Sequence, residues 1–330
     1  MIKLVTVSDD RFGRKGGKYE ETQEKIKTFF EQNREFGIDS VLSYTWNDVV
    51  KNDIYQYHKT ILDNIDAARN GRAYKPMAIM EALESVNEND YVIYSDCSPE
   101  MWDRLPFWQY QFDISVITDL CDKNGGVLSA FVKWDTRTIL QGHLGIHTHD
   151  NFTTDRCMKV MGLENLRYTY MHASGMMVFK KTAKTIAFVN EWLKYNFIDE
   201  CASLGSASIE NDYSFWDKEE NYKMGHRHDQ SISGLLINKY GYKLVDMPYF
   251  HDLNPHNFIN YCRVGHTYNF IDPLVYKEKK RVRKGDKVIN SKGVELSVFE
   301  IRNEGGEEKL IVGLHRESTY AAIESELKIK

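Results

Sequence analysis

The segment His226-Arg227-His228-Asp229-Gln230-Ser231 gathers two imidazoles, a guanidinium, a carboxylate and an amide just before an apolar-faced helix. Side chains of these types can bind an array of sugar hydroxyls or stabilise a leaving phosphate. Asp229 alone needs no such role, because a carboxylate near a helix start is electrostatically favoured. A second segment, Tyr91-Val92-Ile93-Tyr94-Ser95-Asp96-Cys97-Ser98, is a β-prone run that stops at polar residues. The carboxyl end of a buried parallel strand is where open α/β sheets bind ligands. An acid fixed there can hold a ribose hydroxyl or, together with phosphate oxygens, a divalent cation. The alternative is that Asp96 caps the turn beginning near Pro99. In Tyr170-Met171-His172-Ala173-Ser174-Gly175, Gly175 either lets a ligand approach the backbone or simply turns the chain into a strand.

His143, His147 and His149 invite a metal reading. Their spacing matches neither an H-E-x-x-H helix nor a zinc finger, and no Cys pair assists, so solvated loop histidines are expected. A metallohydrolase built on these three is the corresponding alternative function. His251, after Tyr249-Phe250, is placed to close a metal site opened by Asp96, or else to be a buried, hydrogen-bonded histidine. The Gly13–Gly17 loop lacks the ending of a phosphate-binding P-loop, and the basic run Lys277–Lys287 is expected to be a solvated face.

These residues must be positioned by alternating strands and helices. Met1–Val7, Val41–Tyr44, Tyr91–Tyr94, Gly126–Val132, Gly175–Phe179 and Tyr242–Met247 are apolar, strand-like runs. Helical stripes recur at Ile26–Phe36, at Asn52–Arg69 with Asn70-Gly71 ending it, from Pro76 to about Val86, at Thr182–Tyr195 and at Asp229–Tyr240. Residues 200–226 have no clear period and are predicted to be a long loop. The pattern predicts one α/β domain over 1–271, divided near 132, and a small β-rich extension over 272–330. In that extension Lys287–Arg316 predicts two or three antiparallel strands.

Composition narrows the class. Lys and Arg total 43 against 48 Asp and Glu, a net charge of −5, without the basic excess of a nucleic-acid binder. No apolar run reaches the ~18 residues of a transmembrane span, and no secretory leader pattern is present. Five cysteines without C-x-x-C argue for reduced thiols. A cytoplasmic location, free or docked peripherally, is therefore expected.

Taken in order, Arg72-Ala73-Tyr74-Lys75-Pro76 before an apolar helix, the strand ending Tyr94-Ser95-Asp96-Cys97-Ser98, Ala173-Ser174-Gly175 leading into a strand and the Trp192 helix, and His226-Arg227-His228-Asp229-Gln230-Ser231-Ile232 resemble bacterial and viral glycosyltransferases of the A-type fold. The likeness covers roughly residues 1–270. It implies a Rossmann-like domain with a mixed, mostly parallel sheet flanked by helices. The nucleotide sugar, a UDP-sugar first among the candidates, would bind the N-terminal half, and a glycan or small-molecule acceptor the C-terminal half. It further implies Thr6, Ser8, Asp9, Lys75, Asp96, Cys97 and Ser98 at the donor, and His172, Ser174, Gly175, Trp216, His226 and His228 at the acceptor. Asp229 would be the catalytic, acceptor-side carboxylate, either a general base removing a proton from the attacking hydroxyl or a group orienting the sugar. Mn²⁺ or Mg²⁺ would be held by Asp96, Ser98 and His251, although Ser98 stands where such motifs usually carry a second acid. That departure keeps open a non-catalytic nucleotide- or carbohydrate-binding module. Tyr213, Phe215, Trp216 and Tyr222 fall inside the predicted loop, where stacking on sugar rings would make it an acceptor-side lid.

Overall fold

The computed structural model describes residues 1–8, 18–67, 72–97, 114–131, 149–167, 169–202 and 226–246, and strand segments at 269–271, 287–290, 295–304, 307–313, 319–323 and 327–329. Strand β1 (Ile2–Ser8) pairs in parallel with β2 (Ser40–Thr45) on one side and β3 (Tyr91–Ser95) on the other. Beyond β3 the sheet continues through β5 (His172–Lys180), β4 (Val127–Phe131), β6 (Leu244–Asp246) and β7 (Asn269–Ile271), in the order β2-β1-β3-β5-β4-β6-β7. Only β5 and β7 run against the others. The result is an α/β fold with a mostly parallel mixed sheet flanked by helices. Strand order departs from β1 in both directions, so the carboxyl ends of β1 and β3 flank a topological switch point.

Alternation along the strands divides the core into two faces. Val5, Val7, Val92 and Tyr94 point to the face covered by α5 (Tyr74–Glu84), α9 (Ala183–Asn196) and α11 (Asp229–Lys239). Leu4 and Ile93 point to the other, covered by α1 (Lys18–Gln32) and α6 (Ser115–Lys123). Buried Thr22, Ile26 and Phe30 give α1 its apolar stripe. Nearly every residue of α5 is buried, because it lies between the sheet and α9. Pro76 is tolerated there because a first-turn N–H has no intrahelical partner.

Several expectations change in detail. The stripe at 52–69 is interrupted at His58, which ends α3 (Asp53–Tyr57) before α4 (Lys59–Ala67); α2 (Trp46–Lys51) precedes them behind a Thr45/Asp48 capping box. Strand β5 begins at His172, three residues earlier than the apolar run suggests. Short helices α7 (His149–Phe152) and α8 (Asp155–Met161) complete the region before it. Residues 200–202 belong to α10 (Asp199–Ala202) and not to a loop, and the rest of that predicted loop, up to 225, lies outside the described residues.

The C-terminal strands β8 (Lys287–Asn290), β9 (Glu295–Glu304), β10 (Glu307–Gly313), β11 (Thr319–Ile323) and β12 (Leu327–Ile329) form a separate antiparallel sheet ordered β11-β10-β9-β8-β12. Two of these strands lie beyond the predicted set. Among the described residues no helix is long and apolar enough to cross a membrane.

Candidate functional site

Lys75, in the first turn of α5, is buried with its ammonium between two carboxylates. Its Nζ lies 3.2 Å from Asp96 Oδ1, just past the carboxyl end of β3, and 3.3 Å from Asp229 Oδ2 at the start of α11. Ser174 Oγ stands 3.4 Å from the same nitrogen, and the Tyr94 ring lies 5.5 Å below it. Tyr94 also donates its hydroxyl to Asp96 Oδ1 at 2.7 Å; both residues project to one face of β3 because they are two apart. Gly175 accepts from the Asp96 amide at 2.8 Å, so β5 fixes the backbone that carries the acid.

The two carboxylates differ. Asp96 keeps 30% of its side chain exposed, whereas Asp229 keeps 6%. Burial raises the Asp229 carboxyl above its ordinary pKa, with Lys75 and Arg72 opposing. Burial alone would depress the Lys75 ammonium, but Asp229 and Asp96 more than reverse this and hold its pKa above the usual lysine value. Asp229 Oδ2 is buried, and the donor that faces it is the Lys75 ammonium.

Behind Asp229 lies a layer of neutral imidazoles. His172 bonds through Nδ1 to Ser129 Oγ at 2.8 Å and through Nε2 to Ser233 Oγ at 2.7 Å, and Ser233 in turn donates to the Asp229 carbonyl. His226 donates from Nε2 to the Cys201 carbonyl at 2.6 Å and accepts from the Thr154 amide at Nδ1. His228 donates from Nδ1 to the Ala202 carbonyl at 2.8 Å. His149, bonded to Thr153, is fully buried, which corrects the expectation of a solvated histidine. Burial is the first cause that lowers their pKa values, to about 3 for His149 and His172 and about 4 for His226; His228 is likewise well below normal. His172, His226 and His228 are thus occupied with internal partners and brace the site, where the sequence placed them on the acceptor.

His149 and His172 approach α11 closely because Gly234 has no side chain. A Cβ there would meet His149 Cε1 at 2.6 Å and His172 Cδ2 at 3.2 Å. Alanine ordinarily favours a helix interior over glycine, but Gly234→Ala is expected to lower stability by about 1–3 kcal/mol through overpacking. A thermal melt decides the sign, and a raised melting temperature would mean the imidazoles yield.

His228 departs from ordinary backbone geometry, with φ 47° and ψ −117°. The Gln230 amide bonds to the Arg227 carbonyl at 2.9 Å, closing a type II′ turn in which His228 occupies the position glycine normally fills. Asp229 follows, and Trp192 Nε1 donates to its carbonyl at 3.1 Å.

At the β1 end, Thr6 and Cys97 turn inward, a correction to their expected donor contacts. Gln23 Nε2 bonds the Thr6 hydroxyl at 3.0 Å, and the Cys97 thiol faces the Val7 carbonyl at 3.2 Å inside the core. Ser8 is buried at the strand's end, with its hydroxyl 3.5 Å from the Tyr44 carbonyl. Asp9, Ser98, Trp216 and His251, with His143 and His147, lie outside the described residues. Among the described residues no three His, Cys, Asp or Glu side chains are grouped to hold a metal ion. Asp96 alone of the expected ligands is described, so this donor set fits Mg²⁺ or Mn²⁺ only if substrate oxygens and water supply most of the coordination.

Sequence reasoning found Lys75, Asp96, Ser174 and Asp229, which the fold brings together. It missed Tyr94, Trp192, Ser233 and Gly234. A signal existed for Tyr94, since a buried phenol needs a partner and Asp96 is its same-face neighbour. Compared with protein-family models, with curated proteins and with solved structures, the chain matches none.

Proposed function

We propose that this chain is a nucleotide-sugar-dependent glycosyltransferase of the A-type fold, with donor and acceptor meeting across Lys75. The observation that carries the reading is the Asp96–Lys75–Asp229 contact, which joins the carboxyl end of β3, at the switch point, to the start of α11. Donor binding at the β1 and β3 ends puts the diphosphate beside Asp96 and the Lys75 ammonium. An acceptor hydroxyl donating to Asp229 Oδ2 attacks the anomeric carbon. The new glycosidic bond forms as the bond to the diphosphate breaks, the proton passes to Asp229, and the nucleoside diphosphate leaves. The elevated carboxyl pKa suits a general base, and the ammonium opposes charge developing on the leaving group. A bound divalent cation at Asp96 would add further charge neutralisation at the diphosphate. Cys97, Cys121, Cys157 and Cys201 are all free and buried, in keeping with a cytoplasmic enzyme.

Asp229→Asn preserves shape while removing the proton acceptor. It is expected to lower transfer by at least about 10²-fold, within the range of general acid–base catalysis, with nucleotide binding retained. The check is release of the nucleotide, UDP, GDP or dTDP from the corresponding diphosphate sugars and CMP from CMP-sugars, beside thermal shifts with the same donors. Native turnover in the variant removes Asp229 from the mechanism. Donor binding without turnover in the native chain would instead favour the binding-module reading.

A further inference from the structure

We propose that His228 is a positioning residue, which holds Asp229 against Lys75 through a strained turn and does not bind the acceptor. The backbone at His228 is a conformation that glycine adopts freely and that side-chain-bearing residues rarely do. Placing histidine there is disfavoured unless the imidazole does something glycine cannot. What it does is visible: Nδ1 donates to the Ala202 carbonyl, with the residue only 8% exposed.

Two residues earlier, His226 makes the same type of bond to the neighbouring carbonyl, Cys201. The stretch before Asp229 therefore hangs by two imidazoles from the end of α10. On its other side, the Asp229 carbonyl is held by Trp192 Nε1 and Ser233 Oγ. Backbone restraint from both directions leaves the carboxylate little freedom beyond its own side-chain rotations, and the strained turn sets the direction from which it meets Lys75. An outlier of this kind, maintained by surrounding contacts, is how sites store pre-organisation.

His228→Ala removes the imidazole and keeps a Cβ in the strained turn, His228→Gly removes both, and His228→Asn restores a donor. Asn Nδ2 takes the place of His Nδ1, and asparagine tolerates positive φ. The first readout is the slowly exchanging Lys75 NH₃⁺ signal in ¹H–¹⁵N spectra. It is expected in the native chain, lost in His228→Ala and His228→Gly, and restored in His228→Asn. The second is donor turnover with the four nucleotide sugars, where the kcat of His228→Ala and His228→Gly should fall by about 10- to 100-fold with little change in KM. His228→Asn should recover most of that loss. An unchanged Lys75 signal in His228→Ala overturns the proposal. So does a rise in the donor KM at constant kcat, which would make His228 a donor contact. The kinetic arm rests on the transferase reading. If the native chain turns over none of the four donors, that reading fails and the Lys75 signal alone decides the positioning role.

Discussion

Lys75→Met is expected to cost about 3–5 kcal/mol of folding stability, the usual penalty for stranding a buried charge. The cost falls mainly on Asp229, since Asp96 is exposed enough to regain water. The loss should depend on pH in a defined direction. Without the ammonium, the folded Asp229 carboxyl binds its proton more tightly than the unfolded one, whose pKa is about 4. The deficit therefore grows as pH rises through that value and levels off above the folded pKa. Adding Asp229→Leu to Lys75→Met should recover much of the stability, because removing both partners leaves no stranded charge. Urea unfolding of the single and double variants at two pH values measures this. Equal stability of Lys75→Met and native protein would show that the ion pair is dispensable to the fold.

Acidification should unfold the native chain well before ordinary carboxylates titrate. His149, His172, His226 and His228 are held neutral by burial, with folded pKa values of about 3, 3 and 4 for the first three and a value well below normal for His228. In the unfolded chain each titrates near 6.5. Between those values the unfolded state binds more protons, so stability is fully present above about pH 6.5 and is lost as pH falls. By pH 5.5 each of His149, His172 and His226 costs on the order of 1 kcal/mol, roughly 4 kcal/mol for the three, and His228 adds to this in the same direction. Together these approach the low end of the whole stability of many domains, about 5–15 kcal/mol. Urea midpoints between pH 7.5 and 5 test it. A flat profile over that range would mean the imidazoles are not held neutral.

Much of the fold is legible where burial is two-sided or a stripe is long. Tyr91–Tyr94 announces a central strand because both of its faces are covered. Ile186, Val189, Trp192 and Leu193 announce α9 because one helical face meets the core. The site is less legible, since its decisive contacts are tertiary. Lys75, Asp96 and Asp229 come from distant segments, and nothing in their local patterns states that one ammonium will sit between both acids. The histidines show the opposite failure. Their chemical type suggested ligands and loops, but carbonyls and hydroxyls supplied by α10, β4 and α11 made them internal struts. Helix α8 went unread even though Thr154 caps its start and Gly162 ends it with φ 66°, because seven residues offer too short a stripe to declare a period.

The paired bonds from His226 to Cys201 and from His228 to Ala202 have a consequence for the path of the chain. They pin together the two points where the chain departs at Ala202 and returns at His226, and they do so with imidazole nitrogens and main-chain carbonyls. The start of α11, and Asp229 with it, is thereby tied directly to the end of α10.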